Sequence, residues 1–169
     1  AERTTELQTL ANDLGNALVA QQNMQRTLQQ SEAELKAILH NAHEAFVAID
    51  HSGCIVEWNP QAEALFGWPR EQALGQQLEQ TIIPPQYRAS HNRGLAEFLR
   101  SGHGPMLNQR LELSAQKRNG DIFPVEFSIG HVAREQGHLF IAFMQDISVR
   151  KAMQHLLESQ VFEDTLTHL

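Results

Sequence analysis

Apolar residues recur at coiled-coil spacing from Ala1 to about His40, a stretch with no proline and with Gly15 as its one glycine. Two interleaved rows carry the pattern: Leu7, Leu14, Gln21, Leu28 and Leu35, and Leu10, Ala17, Met24, Ser31 and Ile38. Eight of these ten positions are apolar, which makes a narrow seam sustained over about five heptads. The flanking positions are rich in Gln, Glu and Thr, so the seam has little to bury against except a second copy. A parallel homodimer is expected, held by Leu7, Leu10, Leu14, Met24, Leu28 and Leu35, with Gln21 placed to set the register. The alternative is a long helix folded onto its own domain.

After this stretch the period changes. FVAIDHSGCIVEW reads as two strands around a tight turn made by Asp50 and Gly53. Pro60 to Gly67 suits a short helix with proline in its first turn and glycine at its end, and Pro69 and Gly75 bracket another. Beyond Pro84 and Pro85 an amphipathic helix runs to about Arg100 and stops at Ser101-Gly102. LNQRLELSAQKR, DIFPVEFSIGHVAR and HLFIAFMQDI follow as strands joined at Asn119-Gly120 and near Gln136-Gly137, an antiparallel meander. From Ile147 helical spacing returns, with Met153, Leu156, Leu157 and Val161 on one side. The predicted class is α+β: five antiparallel strands with helices on one face, and a cavity between the sheet and the long helix. Residues 1–38 form a coiled-coil helix, 39–147 the sheet domain and 148–169 an exit helix.

Charge and composition narrow the partners. Thirteen basic residues stand against twenty acidic ones, a net charge of -7, and no basic stripe offsets it, which argues against nucleic acid. Cys54 is the one cysteine, so neither an internal disulfide nor a thiolate-cluster metal site is available, and the cytoplasm is the expected compartment. The longest apolar runs, Ala45 to Ile49 and Leu139 to Met144, fall well short of the ~20 residues that span a bilayer. The start at Ala1 and the stop in mid-pattern at Leu169 are those expected of a fragment whose parent carries further segments, a membrane anchor among the options.

AIDHSGCIVEWNPQAEALFGWPREQALGQ resembles the start of a PAS domain, with Asp50, Gly53, Ile55, Asn59, Ala62, Phe66, Gly67, Glu71 and Gly75 on its familiar positions. KRNGDIFPVEFSIG resembles the family's hairpin, and FMQDISVRK its closing Asp-Ile-Thr motif, here Asp146, Ile147 and Ser148. The resemblance covers about Leu35 to Lys151. It implies a sensory or dimerising module whose cavity holds haem, flavin, a metabolite or nothing, with output through a coiled coil. VFEDTLTHL looks like the opening of a GGDEF diguanylate cyclase domain, at Asp164, Leu166, Thr167 and Leu169. That implies a cyclic di-GMP effector; the alternative is a histidine kinase, although His155 lacks the acidic-apolar-basic run that usually follows a phosphoacceptor.

One helical face carries the candidate chemistry. His91, Leu95, Phe98 and Leu99 fall at i, i+4, i+7 and i+8, so the imidazole shares the side that covers the sheet. FixL-type and DOS-type oxygen sensors use a histidine in this helix as the proximal ligand of haem iron, and the resemblance implies that role for His91, with b-type haem the leading cofactor and flavin or a small metabolite behind it. Its walls are expected from Leu95, Gln109, Leu111, Phe127 and Ile129. Leu111 stands where the FixL-type pattern has an arginine, and Gln109 where the DOS-type has its distal methionine. Strand alternation puts Gln109, Leu111 and Leu113 on one face and Arg110 and Glu112 on the other. The bland reading of His91 is an imidazole satisfied by a neighbouring polar group at the cavity edge, and the matching function is a ligand-free dimerisation cassette.

The remaining candidates are structural first. Cys54 sits at a strand start and reads as a small core residue. His40, His43 and Glu44 offer zinc ligands if that segment is helical. Trp58 and Trp68 read as core aromatics flanking a short helix. Asp146 and Arg150 fit an ion pair at the root of the exit helix, where Asp146, Ile147 and Arg150 would relay the signal. Neither a phosphate loop nor a nucleophile with a base is present, so no enzymatic activity is expected of this stretch.

Overall fold

Residues 1–167 are described by a computed structural model, which separates into two units, one from Ala1 to Asn41 and one from Ala42 onward. The first is helix α1, Glu2–His40. It ends where the backbone N–H and the side-chain amide of Asn41 both donate to the Ala37 carbonyl, at 3.0 and 2.8 Å. Because the helix stops at His40, His40 and His43 do not share a helical turn, and the helical spacing that a zinc site at His40, His43 and Glu44 needs is not formed. Leu7, Leu10, Leu14, Met24, Leu28 and Leu35 are each 60% or more exposed in the single chain.

The second unit contains β1 (Ala45–Asp50), β2 (Ile55–Trp58), α2 (Pro60–Phe66), α3 (Arg70–Ala73), α4 (Leu78–Thr81), α5 (Pro85–Ser101), β3 (Arg110–Gln116), β4 (Ile122–Arg134), β5 (Gly137–Asp146) and α6 (Ser148–Thr167). The strands form one antiparallel sheet in the order β2-β1-β5-β4-β3. The two hairpins of the sequence reading are thus joined through β1 and β5, with Phe46 opposite Phe143 and Ala48 opposite Ile141. Ala45 through Ile49 are buried without interruption, as a central strand covered on both faces must be.

Local chemistry explains the joints. The Asp50 carboxylate accepts from the Ser52 and Cys54 N–H groups and the Ser52 hydroxyl, and Gly53 takes φ 83, which a side chain would oppose. Asn59 does most to connect β1 with the helices. Its side-chain oxygen accepts from Ala62 N–H, 2.9 Å, as the α2 cap, and from Phe46 N–H, 2.8 Å, while its amide donates to the Glu44 carbonyl, 3.0 Å. Trp58 donates from Nε1 to the Trp68 carbonyl and Trp68 to that of Thr81, so both tryptophans are braces. Helix α4 lies outside the predicted elements because four residues carry too little period to be seen.

Replacing Asn59 by alanine removes the cap, worth about 1 kcal/mol, and strands the buried Phe46 N–H, worth about 1–3 kcal/mol more. The expected loss is about 2–4 kcal/mol in urea unfolding monitored by circular dichroism. Asn59→Asp, which keeps the acceptor, should lose clearly less.

Candidate functional site

Helix α5 begins with Pro85 in its first turn and closes at Gly102, φ 75, in the left-handed conformation. Its inward side is narrower than the spacing predicts. Phe98 is buried and Leu95 half-buried against the core, whereas Leu99 is 41% exposed and falls off the edge. A β-carbon at Gly53 would lie 3.6 Å from Leu95 Cδ2, which sets the helix against the β1–β2 turn.

His91 is half-buried, and its Nδ1 is buried without a hydrogen-bond partner. The side chain of Asn92 hydrogen-bonds to the imidazole, as the satisfied reading expects, but Nδ1 itself has no partner. Burial pushes the imidazole below the ordinary histidine range, against the opposing pull of Asn92 and Glu79. Asn92 in turn donates to the Glu79 carboxylate on α4. The result is a neutral imidazole at pH 7 with a free nitrogen, the form that ligates a metal.

Across from α5, Phe127 is buried, and Leu111 and Ile129 are half-buried against the same apolar cluster. Gln109 is exposed. It precedes the first residue of β3, and the left-handed backbone of Asn108, φ 58, whose N–H donates to the Ile129 carbonyl at 2.8 Å, interrupts the alternation that would aim Gln109 inward. Leu113 is also largely exposed, at 48%. Arg110 and Glu112 lie on the opposite face, as the alternation predicts, where both join ion pairs.

The expected cavity is packed. Phe98 meets Phe140 at 5.0 Å and His131 at 4.6 Å between ring centroids. A hollow of about 370 Å³ opens elsewhere, beside Leu65, Gly67, Lys117 and Arg118, and another lies beside Glu44, Arg110 and Glu126; neither is lined by His91. His131 and His138, unremarked by sequence reasoning, share a hydrogen bond of 2.8 Å beneath Phe98. Their signal was present in the register of the β4–β5 hairpin, where His131 faces Phe140 and His138 faces Ala133, a diagonal pair on one side of the sheet.

Cys54 is half-buried, and its sulfur accepts from Gln77 Nε2 at 3.2 Å, a packing role. At the exit the expected Asp146–Arg150 pair is replaced. Helix α6 begins only at Ser148, so Asp146 lies outside the helical spacing and instead accepts from the Ser148 N–H and hydroxyl. Arg150 reaches Glu112 on β3 at 2.9 Å and Glu126 on β4 at 2.8 Å, Lys151 reaches Glu112 at 2.7 Å, and Arg110 reaches Glu126 at 3.3 Å. Ile147 is buried and donates its N–H to the Pro124 carbonyl.

Residues 33–147 match a family described as the PAS fold. The chain belongs to the PAS family. Among relatives, this PAS chain is 26% identical over 149 residues to the sensor protein FixL of Bradyrhizobium diazoefficiens, covering 88% of this chain and 29% of that protein. It is 26% identical over 108 residues to the oxygen sensor protein DosP of Escherichia coli, covering 64% of this chain and 13% of that one. It therefore spans less than a third of the length of either. The PAS domain of a Colwellia psychrerythraea protein superposes with a TM-score of 0.58 at 20% identity, over 72% of this chain and 98% of that one. The module is a sensory PAS domain, and no described helix is long and apolar enough to cross a membrane.

Removing the orphaned nitrogen gives a sign test for His91. In cofactor-free protein, His91→Leu is expected to raise stability by about 1 kcal/mol at pH 7, because an unsatisfied buried polar atom is removed. The folded state holds the imidazole neutral, so His91 costs wild-type stability as pH falls below about 6.5, and the variant should lose less over that range. Urea midpoints at several pH values measure both; a fall in stability at pH 7 would mean that the imidazole is structurally satisfied.

Proposed function

We propose that this PAS domain is the input module of a signal-transduction protein, taking a cofactor between α5 and the sheet and passing the change to α6. The observation that carries the reading is the buried, unpartnered His91 Nδ1 on an apolar helix face. A neutral imidazole on the helix that sends Leu95 into the apolar cluster of Leu111, Phe127 and Ile129 supplies the kind of donor and walls that haem requires. His91 would hold the iron, and haem would supply a coordination position for a diatomic gas; flavin or a small metabolite suits the imidazole less well. Phe98, Phe140 and His131 fill part of the space, so loading requires that layer to part. With Leu111 on the far wall and Gln109 exposed, neither of those two positions offers a hydrogen bond to a bound gas.

The relay runs through charge. Arg150 and Lys151 at the root of α6 grip Glu112 and Glu126, on the face of β3 and β4 opposite the apolar walls. Shifts of β3 against β4 change the spacing of the two carboxylates and so the seat of α6. The α6 surface presents Val149, Met153, Leu156, Leu157 and Val161, each more than 60% exposed, a stripe suited to a second copy. Together with the α1 seam this supports a homodimer. The output is read as a diguanylate cyclase from Asp164, Leu166 and Thr167 on α6; Leu169, the last position of that motif, lies outside the described residues.

Adding haem to the purified protein is expected to give a Soret band, and His91→Ala to weaken or displace it. A wild-type spectrum identical to free haem would overturn the cofactor reading and leave the dimerisation cassette. Light scattering after size exclusion is expected to return a dimer at micromolar concentration, split by Leu14→Glu with Leu28→Glu. A wild-type monomer would remove the homodimer.

A further inference from the structure

The space under Phe98 holds a second polar device, separate from His91. His131 Nε2 and His138 Nδ1 lie 2.8 Å apart, across the two strands of the β4–β5 hairpin. At that distance one nitrogen carries the proton and the other accepts it, so the pair binds one proton between two rings. The ring of Phe98 lies 4.6 Å from His131 and 5.9 Å from His138, with Phe140 behind at 5.0 Å from Phe98. Thus the last turns of α5 rest on an imidazole pair rather than on an aliphatic surface.

Among the described residues no carboxylate pairs with either ring, so a second positive charge has only the faces of Phe98 and Phe140, a weaker partner than an anion. The titratable groups around the pair are Arg134 and Glu135, both exposed at the tip of the same hairpin, and His51, His103, Glu97 and Arg100. The His51 ring lies against Gly137, where a β-carbon would fall 2.6 Å from its Nδ1. The His103 ring nitrogen meets the Ser101 carbonyl, and Glu97 and Arg100 pair with each other on the exposed side of α5. Burial and the neighbouring His138 both push His131 below the ordinary histidine range. Each neutral ring already carries one proton, so a first added proton leaves an acceptor across the contact, whereas a second makes both rings cationic, removes that acceptor and sets two like charges within one hydrogen-bond length.

We propose that His131 and His138 are a proton-operated clasp: while at least one ring is neutral a shared N–H···N bond seats Phe98 and the end of α5 on the β4–β5 hairpin, and once both rings are cationic they part and release it. This makes acidification an input of the module, independent of whether a cofactor is bound at His91. The parting of Phe98 is also the movement that would open the packed space beneath α5. The sign follows from the pair. The clasp is closed near neutral pH and opens on the second, more acidic protonation, below the ordinary histidine value of about 6.5.

The test is an imidazole and aromatic NMR titration of the chain between pH 8 and pH 5, without added cofactor. Expected are two coupled steps for His131 and His138, separated by more than about one pH unit, with the Phe98 ring resonances moving on the more acidic step. His138→Phe should return His131 to a single step and abolish the acid movement of Phe98; His138→Gln, which keeps a hydrogen-bonding partner, serves if the first variant fails to fold. Two independent titrations near the ordinary value, or Phe98 resonances that ignore the second step, would overturn the clasp.

Discussion

Everything in the sheet domain hangs from one carboxamide. Strand β1 is buried on both faces, so its backbone must be satisfied by neighbouring strands or by a side chain reaching into the core. Along most of its length β2 and β5 do this. At its start, where β2 ends, Asn59 takes over: it accepts from Phe46, returns a proton to the Glu44 carbonyl and caps α2. An aspartate would lose the donor and a serine the reach. The residue therefore sets where the sheet ends and where the run of short helices begins, and through them the path that delivers α5 to the sheet.

With that path set, α5 lies over a surface more polar than a core requires. His91 contributes an orphaned nitrogen, and His131 with His138 contribute a shared proton beneath Phe98. Groups of this kind are costly unless matched, and such sites cluster where a protein binds or responds. The two devices differ in kind. His91 has a free position and is suited to receive something, whereas the imidazole pair satisfies itself until acid upsets it. Both act on the contact between α5 and the sheet, which Phe98 and Leu95 hold with a narrow apolar edge.

The exit is built from the reverse face. Glu112 and Glu126 sit opposite the apolar walls on β3 and β4, and Arg150 bridges them from the first turns of α6. Lys151 and Arg150 hold Glu112 below the usual carboxylate range, in keeping with a surface network. Such exposed pairs add little stability. Their value lies in direction, since one guanidinium answers to two strands at once, so the seat of α6 depends on strand spacing.

Much was legible in the chain itself. The seam of α1, the two hairpins, the brackets Pro60 and Gly67, the long helix from Pro85 to Ser101 and the inward histidine at its second turn all follow from period and turn chemistry, because these are local properties of consecutive residues. The joining of β1 to β5, the filling of the expected cavity by Phe98 and Phe140, the outward turn of Gln109 and the proton shared by His131 and His138 do not. Nor does Arg150, four residues from Asp146 yet paired with carboxylates 38 and 24 residues away. These depend on which strands lie side by side and where a helix begins, and only the tertiary fold decides that. Residue types and spacing thus determined an α+β sheet domain with an imidazole on its long helix; packing decided that this imidazole would have a nitrogen without a partner.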